Sequence, residues 1–489
     1  MTAFENPFAS VLAQSLGRKP SDHPVTGRGA QLRPVFRFRL KDSWMMDRST
    51  TPANPGVADF TDLRFDADIE ALARQAQREL NRMEADFVWL ILGVYLADRM
   101  SPRYPYGHCG TGYWRRKIHL ALPMSEPTAW VQHQDALREL LFFLTEDDWS
   151  FEFLPGRAKW ENIEGQTHFP DFVTGSRGWT ALFSGGLDSF AGALQALQRL
   201  PGNALLISGQ TCSRIATRQG EQVAALRNRV DRSIEHLGVE YGFIDKRAVI
   251  GTESSQRTRA FVHVGLGGIA ALMNGSNELH LFENGFGALN LSCDPSQIGS
   301  QSSRGTHPLF LRRMGSFIST IFGRALEVKN PFLFHTKAEM LGMPGVANHA
   351  DLFATTFSCD RYPNYPHKAS QCGVCPSCLV RRQSLHAARL PDPQHLYTVD
   401  VLHNRQSWRE RDTAAMVKLG VQAEALAEVL QLKDPWPSLV VRWPDLLRTE
   451  RELGLSDFQE RVLRLLRNHV REWQSFASDI PVLRLADAA

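Results

Sequence analysis

Ser184-Gly185-Gly186-Leu187-Asp188-Ser189 decides how this chain is read. It follows the apolar run Trp179-Thr180-Ala181-Leu182-Phe183 and opens a segment, residues 190–200, with helical character. A strand, two adjacent glycines and a helix start leave backbone N–H groups pointing outward. Lacking Cβ, Gly185 and Gly186 let the main chain approach phosphate oxygens and permit positive φ. The helix dipole and the unpaired first-turn amides favour negative charge there. Ser184 and Ser189 offer hydroxyl groups, and Asp188 can cap the helix or hold Mg²⁺. The Walker spacing G-x-x-x-x-G-K-[ST] is absent. The plain alternative is a Gly-Gly turn with a Ser/Asp cap.

Working outward, the pattern from Trp179 alternates strand and helix, the signature of a parallel α/β sheet. Strands are expected at 204–208, 239–245 and 278–282, and helices at 221–237 and 256–273. Ligands of such sheets sit at strand carboxyl ends. That rule gathers 184–189, the Ser208 to Cys212 strand end, Arg257, Arg259 and Glu283-Asn284-Gly285 around one cleft. Residues 1–30 are Pro-, Ser- and Gly-rich and read as partly disordered. Residues 31–155 read as a separate α+β domain, with a strand at Val35–Leu40 and a long helical stretch over 65–100. A connector is expected at 156–178 and a helical region at 391–489, where Ser456 and Gln459 form a candidate capping box.

The chain has 489 residues, enough for two to four domains. Its 43% hydrophobic and 22% charged content is that of a soluble globular protein. A net charge of +3 does not point to nucleic acid. No apolar run is long enough to span a membrane, and the first 22 residues show no secretory signal, so a cytoplasmic location is expected. Cys359, Cys372, Cys375 and Cys378 have the spacing C-x₁₂-C-x₂-C-x₂-C, which supplies four thiolates to one tetrahedral Zn²⁺; an iron–sulfur cluster can use the same donors.

The loop resembles the PP-loop of ATP pyrophosphatases, which cleave ATP to AMP and pyrophosphate. Residues 179–390 together resemble the 7-cyano-7-deazaguanine synthase (QueC) family. The resemblance rests on the loop, on Gln256-Arg257-Thr258-Arg259-Ala260, on Asn330-Pro331 before Thr336-Lys337-Ala338-Glu339-Met340, and on Phe357-Ser358-Cys359 with Cys372-Gly373-Val374-Cys375-Pro376-Ser377-Cys378-Leu379-Val380-Arg381. The long gap from Cys359 to Cys372, the sequence Glu283-Asn284-Gly285-Phe286 and both flanking regions depart from the family. The long form is similar to the QueC-like proteins of Qat-type anti-phage systems.

The resemblance implies adenylation of a 7-carboxy-7-deazaguanine by ATP with Mg²⁺, then transfer to an amine. Ser184, Gly185, Gly186, Leu187, Asp188, Ser189 and Ser208 would hold the nucleotide. Asp188, Arg257, Arg259, Lys337, Arg304 and His307 would serve catalysis, and Glu283, Asn284 and Asn290 would bind substrate. The acceptor is expected to be an amine on a partner protein, with ammonia as the alternative and a homodimer as the assembly. Two other readings stand beside it: a nucleotide sensor without turnover, and tRNA thiolation through Cys212.

Overall fold

The computed structural model describes residues 35–40, 45–50, 63–76, 78–103, 115–156, 178–243, 253, 255–291, 304–363, 371–402 and 410–480. Cys109, Cys293, residues 1–30 and most of the 156–178 connector lie outside them.

One ten-stranded sheet organises the described residues. In chain order its strands are β1 (Val35–Leu40), β2 (Met45–Thr50), β3 (Leu63–Ala67), β4 (Lys117–Met124), β5 (Asp148–Pro155), β6 (Trp179–Leu182), β7 (Ala204–Gln210), β8 (Ile234–Phe243), β9 (Glu278–His280) and β10 (Glu327–Lys329). Across the sheet the order is β10-β9-β6-β7-β8-β3-β2-β1-β4-β5. The β10 to β8 block is parallel throughout, as the alternation after Trp179 predicts. The chain lays down β6, β7 and β8 in one direction and then crosses to β9 on the far side of β6. The switch point therefore lies between β6 and β9, where diverging connections open a crevice at the strand carboxyl ends.

Helices cover both faces of this block. In β7, Leu205 and Ile207 join one core while Ala204 and Leu206 join another, as strand alternation requires. Burial on two sides explains why the strand is apolar without a polar face. The first core also holds Trp89, Leu141, Phe261 and Phe310, so elements from both sides of residue 178 share it. The α+β content expected for 31–155 is present, but its strands continue the same sheet. β3 pairs antiparallel with β8 through Phe65↔Phe243, Asp66↔Gly242 and Ala67↔Tyr241.

Three sequence expectations are corrected. The stretch 65–100 is not one helix: 65–67 belong to β3, and helices run Glu70–Ala76 and Arg82–Arg99. Asn81 starts the second helix with a reciprocal capping box, accepting from Glu84 N at 2.9 Å while its own N–H donates to Glu84 Oε2 at 2.9 Å. The helix expected at 221–237 runs Ser213–Arg227, and Leu237 sits inside β8. Asp231-Arg232-Ser233 separates the two, and beyond it Val239 and Tyr241 are buried in strand alternation. Finally, Ser456 caps nothing. Asp457 is the N-cap residue of helix Phe458–Ser478, and the Gln459 side chain donates instead to Glu450 Oε1 at 2.6 Å.

The C-terminal helices Glu410–Leu430, Trp436–Arg442, Asp445–Leu453 and Phe458–Ser478 pack on Leu289, Leu291 and Phe334 and around the cysteine cluster. No helix among the described residues is long and apolar enough to cross a membrane.

Candidate functional site

The 184–189 loop leaves β6 at the switch point. Gly185 has φ +82°, and a Cβ built there would lie 2.7 Å from the Phe357 ring, so only glycine fits without displacement. Gly186 is the N-cap residue of helix Leu187–Arg199. Ser189 Oγ donates to Gly186 O at 3.0 Å, and Ser184 Oγ accepts the Gly186 N–H at 3.2 Å. From behind, Gln219 donates to Ser184 O at 3.1 Å and Gln222 to Gly185 O at 3.0 Å. With those carbonyls turned toward helix Ser213–Arg227, the first-turn amides of Leu187, Asp188 and Ser189 have no protein acceptor among the described residues. This is the donor arrangement an anion needs. Sequence reasoning missed Gln219 and Gln222; two glutamines three apart on one helix read as solvent-facing, yet both are buried.

Asp188 does not cap the helix. Its Oδ2 accepts from Asn284 N at 3.2 Å and Asn284 Nδ2 at 2.7 Å, and its Oδ1 lies 2.9 Å from Lys337 Nζ. Burial alone would raise the Asp188 pKa, but the Lys337 charge and hydrogen bonds from Glu283, Asn284 and Lys337 hold it below its ordinary value. Glu283 goes the other way: burial and the neighbouring Asp188 charge push it well up. Its Oε1 also accepts from Asn284 Nδ2 at 2.7 Å. The cluster thus favours the ionised form of Asp188 and the protonated form of Glu283. When protonated, Glu283 can donate a hydrogen bond as well as accept one. Two carboxyl groups beside a phosphate-type loop are in kind the donors Mg²⁺ takes, with Glu283 giving up its proton.

Lys337 opens helix Lys337–Leu341, whose N-cap Thr336 forms a capping box with Glu339. The C-terminal helix braces this turn. Thr336 Oγ1 donates to Glu472 Oε1 at 2.5 Å, and Arg464 donates to Glu339 Oε1 at 2.7 Å. The N-terminal region braces Arg257 and Arg259 in the same way. Asp98 accepts from Thr258 N at 3.1 Å and Thr258 Oγ1 at 2.8 Å, while a buried network ties it to Arg116 at 2.6 Å and, through Asp147, to Arg103. Burial works against this charge, but Arg116 and the Thr258 hydrogen bonds hold the Asp98 pKa below its usual value.

Around the loop lies a cavity of about 490 Å³ lined by Ser184, Gly186 to Ser189, Arg259, His263, Glu283, Lys337, Phe357 and Tyr362. Phe357 and Tyr362 stack at 4.4 Å with 22° between planes. Cys359, Asp360 and Ser377 complete the wall. Ser208 does not reach it. Its hydroxyl donates to Phe183 O at 2.6 Å, so the 2.8 Å contact with His236 Nε2 is donated by the ring, which burial keeps neutral with a pKa near 4. Ile207 and Gly209, either side of it, line the cavity instead.

The four cysteine sulfurs all lie within 4.8 Å of one another, with Cys372 to Cys378 at 3.9 Å and Cys359 to Cys375 at 4.0 Å. Tetrahedral Zn²⁺ with bonds of about 2.3 Å sets sulfurs about 3.8 Å apart, so the group fits a zinc ion. Gly373, at φ +86°, makes the turn between the first two ligands of the knot.

The expected single cleft divides in two. Arg257, Asn290, Arg304 and His307 line a second cavity, of about 290 Å³, with Leu144, Glu146, Arg442, Trp443 and Asp445. Arg304 is held by Asp445 at 3.0 Å and Glu146 at 3.4 Å. Cys212 is the N-cap residue of helix Ser213–Arg227 and lines a third cavity, which shares Thr211 with the first.

No family model matches the chain. The chain is similar to a 7-cyano-7-deazaguanine synthase of Paracoccus denitrificans (strain Pd 1222), 36% identical over 81 residues. That stretch is 17% of this chain and 32% of the relative, so the chain spans about a third of the protein it matches.

Proposed function

We propose that the protein is an ATP-dependent ligase that adenylates a 7-deazaguanine carboxylate and transfers it to an amine. The observation that carries this reading is the first-turn amide group at Leu187 to Ser189, facing one cavity with Lys337, Arg259 and the Asp188–Glu283 pair. The similarity to a deazaguanine synthase supports the choice of carboxylate. The QueC-like family is supported to that extent, and the setting in an anti-phage system follows from the sequence resemblance alone.

The substrate carboxylate attacks the α-phosphorus of ATP; the bond to the bridging oxygen breaks and pyrophosphate leaves. The charge on the departing group is met by the loop amides, Lys337 and Arg259. Mg²⁺, when bound, supplies further charge neutralisation on the phosphates, and Asp188 and Glu283 are the side chains to hold it. The stacked Phe357–Tyr362 pair offers a flat face for a base. The amine nitrogen then attacks the acyl carbon, AMP leaves, and the amine gives up a proton that the Asp188–Glu283 pair can exchange. Our preferred acceptor is a protein-borne amine. With ammonia the product is a small amide, which a second activation converts to a nitrile.

Pyrophosphate release tests this directly. Wild-type protein with ATP, Mg²⁺ and 7-carboxy-7-deazaguanine should release pyrophosphate only when all three are present, and Asp188→Asn should lose at least about 100-fold. Intact mass of added proteins and of the small-molecule pool separates the two acceptors. Release that ignores the carboxylate would overturn the substrate assignment, and no release from wild type would favour a sensor.

A further inference from the structure

The third cavity, of about 430 Å³, opens at the carboxyl ends of β7 and β8. β7 ends at Gln210 and the chain turns away into helix Ser213–Arg227. β8 runs on through Tyr241 to Phe243, where it pairs with β3 and no longer with β7. The fork between them is bordered by Asp68, Glu70, Gln210, Cys212, Glu240 and Gly242. None of these residues lines either of the other two cavities.

Its charge is one-sided. Three carboxylates line it, and no lysine, arginine or histidine does. Asp68 is already paired, since both of its oxygens accept from Arg74 Nη2, at 3.0 and 2.8 Å. Glu70 and Glu240 make no ion pair among the described residues, and both are exposed at the mouth of the cavity. The start of helix Ser213–Arg227, N-capped by Cys212, adds about half a positive charge and leaves an excess of about one and a half negative charges.

Gln210 supplies an independent sign of a ligand. It is only 7% exposed and lines the cavity. Its Nε2 donates to Gln219 Oε1 at 3.1 Å, and Gln219 Nε2 donates in turn to Ser184 O at 3.1 Å, which fixes the amide's orientation. Gln210 Oε1 is left with no hydrogen-bond partner among the described residues, a state that buried polar groups ordinarily avoid. That oxygen asks for a donor, and the carboxylates ask for a cation. A bare metal ion is a poor answer. Among the described residues, the four cysteines are the one group of three or more potential ligands gathered closely enough to hold an ion. A primary ammonium spreads three N–H donors over separate acceptors, and its alkyl stem gives it reach.

We propose that the third cavity binds a primary alkylammonium group, with Gln210 Oε1, Glu70 and Glu240 as its acceptors. Free alkylamines and lysine side chains both carry this group. The site is separate from the nucleotide cavity and its occupancy is read without turnover, so it stands or falls apart from the reaction above.

Saturation-transfer NMR of pentylamine with the full chain, in an amine-free buffer, is the test. Expected is saturable transfer at millimolar concentrations or below. None is expected to pentan-1-ol, which lacks the charge, or to N,N,N-trimethylpentylammonium, which keeps the charge but has no N–H. Glu240→Gln should weaken binding at least about tenfold, as loss of a charge-assisted hydrogen bond does. Gly242→Leu should abolish it, because a Cβ built at Gly242 meets no atom within 4 Å and the side chain grows into the cavity without displacing the strand. Acetyl-glycyl-lysyl-glycinamide, run beside pentylamine, distinguishes the two carriers: tighter binding of the peptide assigns the site to a lysine side chain, and tighter binding of pentylamine to a free amine. Absence of saturable transfer would overturn the site, as would equal binding of the trimethylated compound or the alcohol. Unchanged affinity in both Glu240→Gln and Gly242→Leu would place the amine elsewhere and overturn it too.

Discussion

The two cavities either side of Thr258 are built by opposite means. The nucleotide cavity is made of short-range devices: a strand–Gly-Gly–helix turn, a capped helix bearing Lys337, and a cysteine knot that supplies one wall. The arginine cavity has no motif at all and exists because five distant segments meet. In the first, the turns themselves are local, and distant partners such as Gln219, Gln222, Asn284 and Glu472 then fix them. In the second, orientation comes from ion pairs such as Arg304 to Asp445. A site of the first kind has motifs that packing then orients, whereas one of the second kind depends on packing alone.

Metal removal should separate them most sharply. Structural zinc contributes on the order of 10 kcal/mol of apparent binding energy to small metal-held folds. Chelation, or Cys372→Ser, should therefore release about one metal equivalent, lower the melting temperature strongly and abolish nucleotide binding, since Cys359, Asp360 and Ser377 leave the wall. Arg304→Met, which strikes the second cavity, should lower nucleotide binding much less; equal loss would break the distinction. Next in size is Asp98→Asn, which strikes the post the cavities share. Removing one partner of a buried ion pair costs about 3–5 kcal/mol, and here it also frees Thr258. Denaturant unfolding should show that cost, and nucleotide should bind more weakly.

Lys337→Met should act on the first cavity alone. A drop of about 100-fold in pyrophosphate release is expected for loss of one preorganised cation, and an unchanged rate would remove Lys337 from the reaction. Near pH 6 the effect on pH dependence is the smallest of these, and it grows as the pH falls. Burial depresses His263 in the first cavity and His307 in the second to a pKa near 3. The unfolded chain binds protons at these positions from about pH 6.5 downward while the folded chain does not, so stability should fall as pH drops through about 6.5 toward 3. Above about pH 7 neither histidine should contribute any slope, and urea midpoints measured across that range check it.

What was legible in the sequence follows the same division. The 184–189 loop and the knot spacing are local, and each could be read from adjacent residues. The parallel block was legible because burial on two faces writes an unbroken apolar run such as 204–207. The overrun of the 221–237 helix arose because Leu237 suits either period, and only Val239 and Tyr241 beyond it reveal the strand. Grouping Arg257 with Arg259 was the costlier error. Two arginines one residue apart look like one feature, but adjacent positions at a helix start point in different directions, and Thr258, held by Asp98, parts them. Nothing within 20 residues of Asp98 announces that contact.

The β3 to β8 pairing has a consequence for anyone who would cut this protein down. A fragment beginning just before β6 would keep the loop, the knot and the crevice, yet it would uncover Tyr241 to Phe243 at the end of β8, which pair with β3 and not with β7. Strand ends left unpaired in this way recruit others of their kind, and the outcome is precipitation or swapped dimers rather than a smaller protein. A soluble miniature would need that strand end broken by an inserted charge or proline, or else screened by a grafted strand.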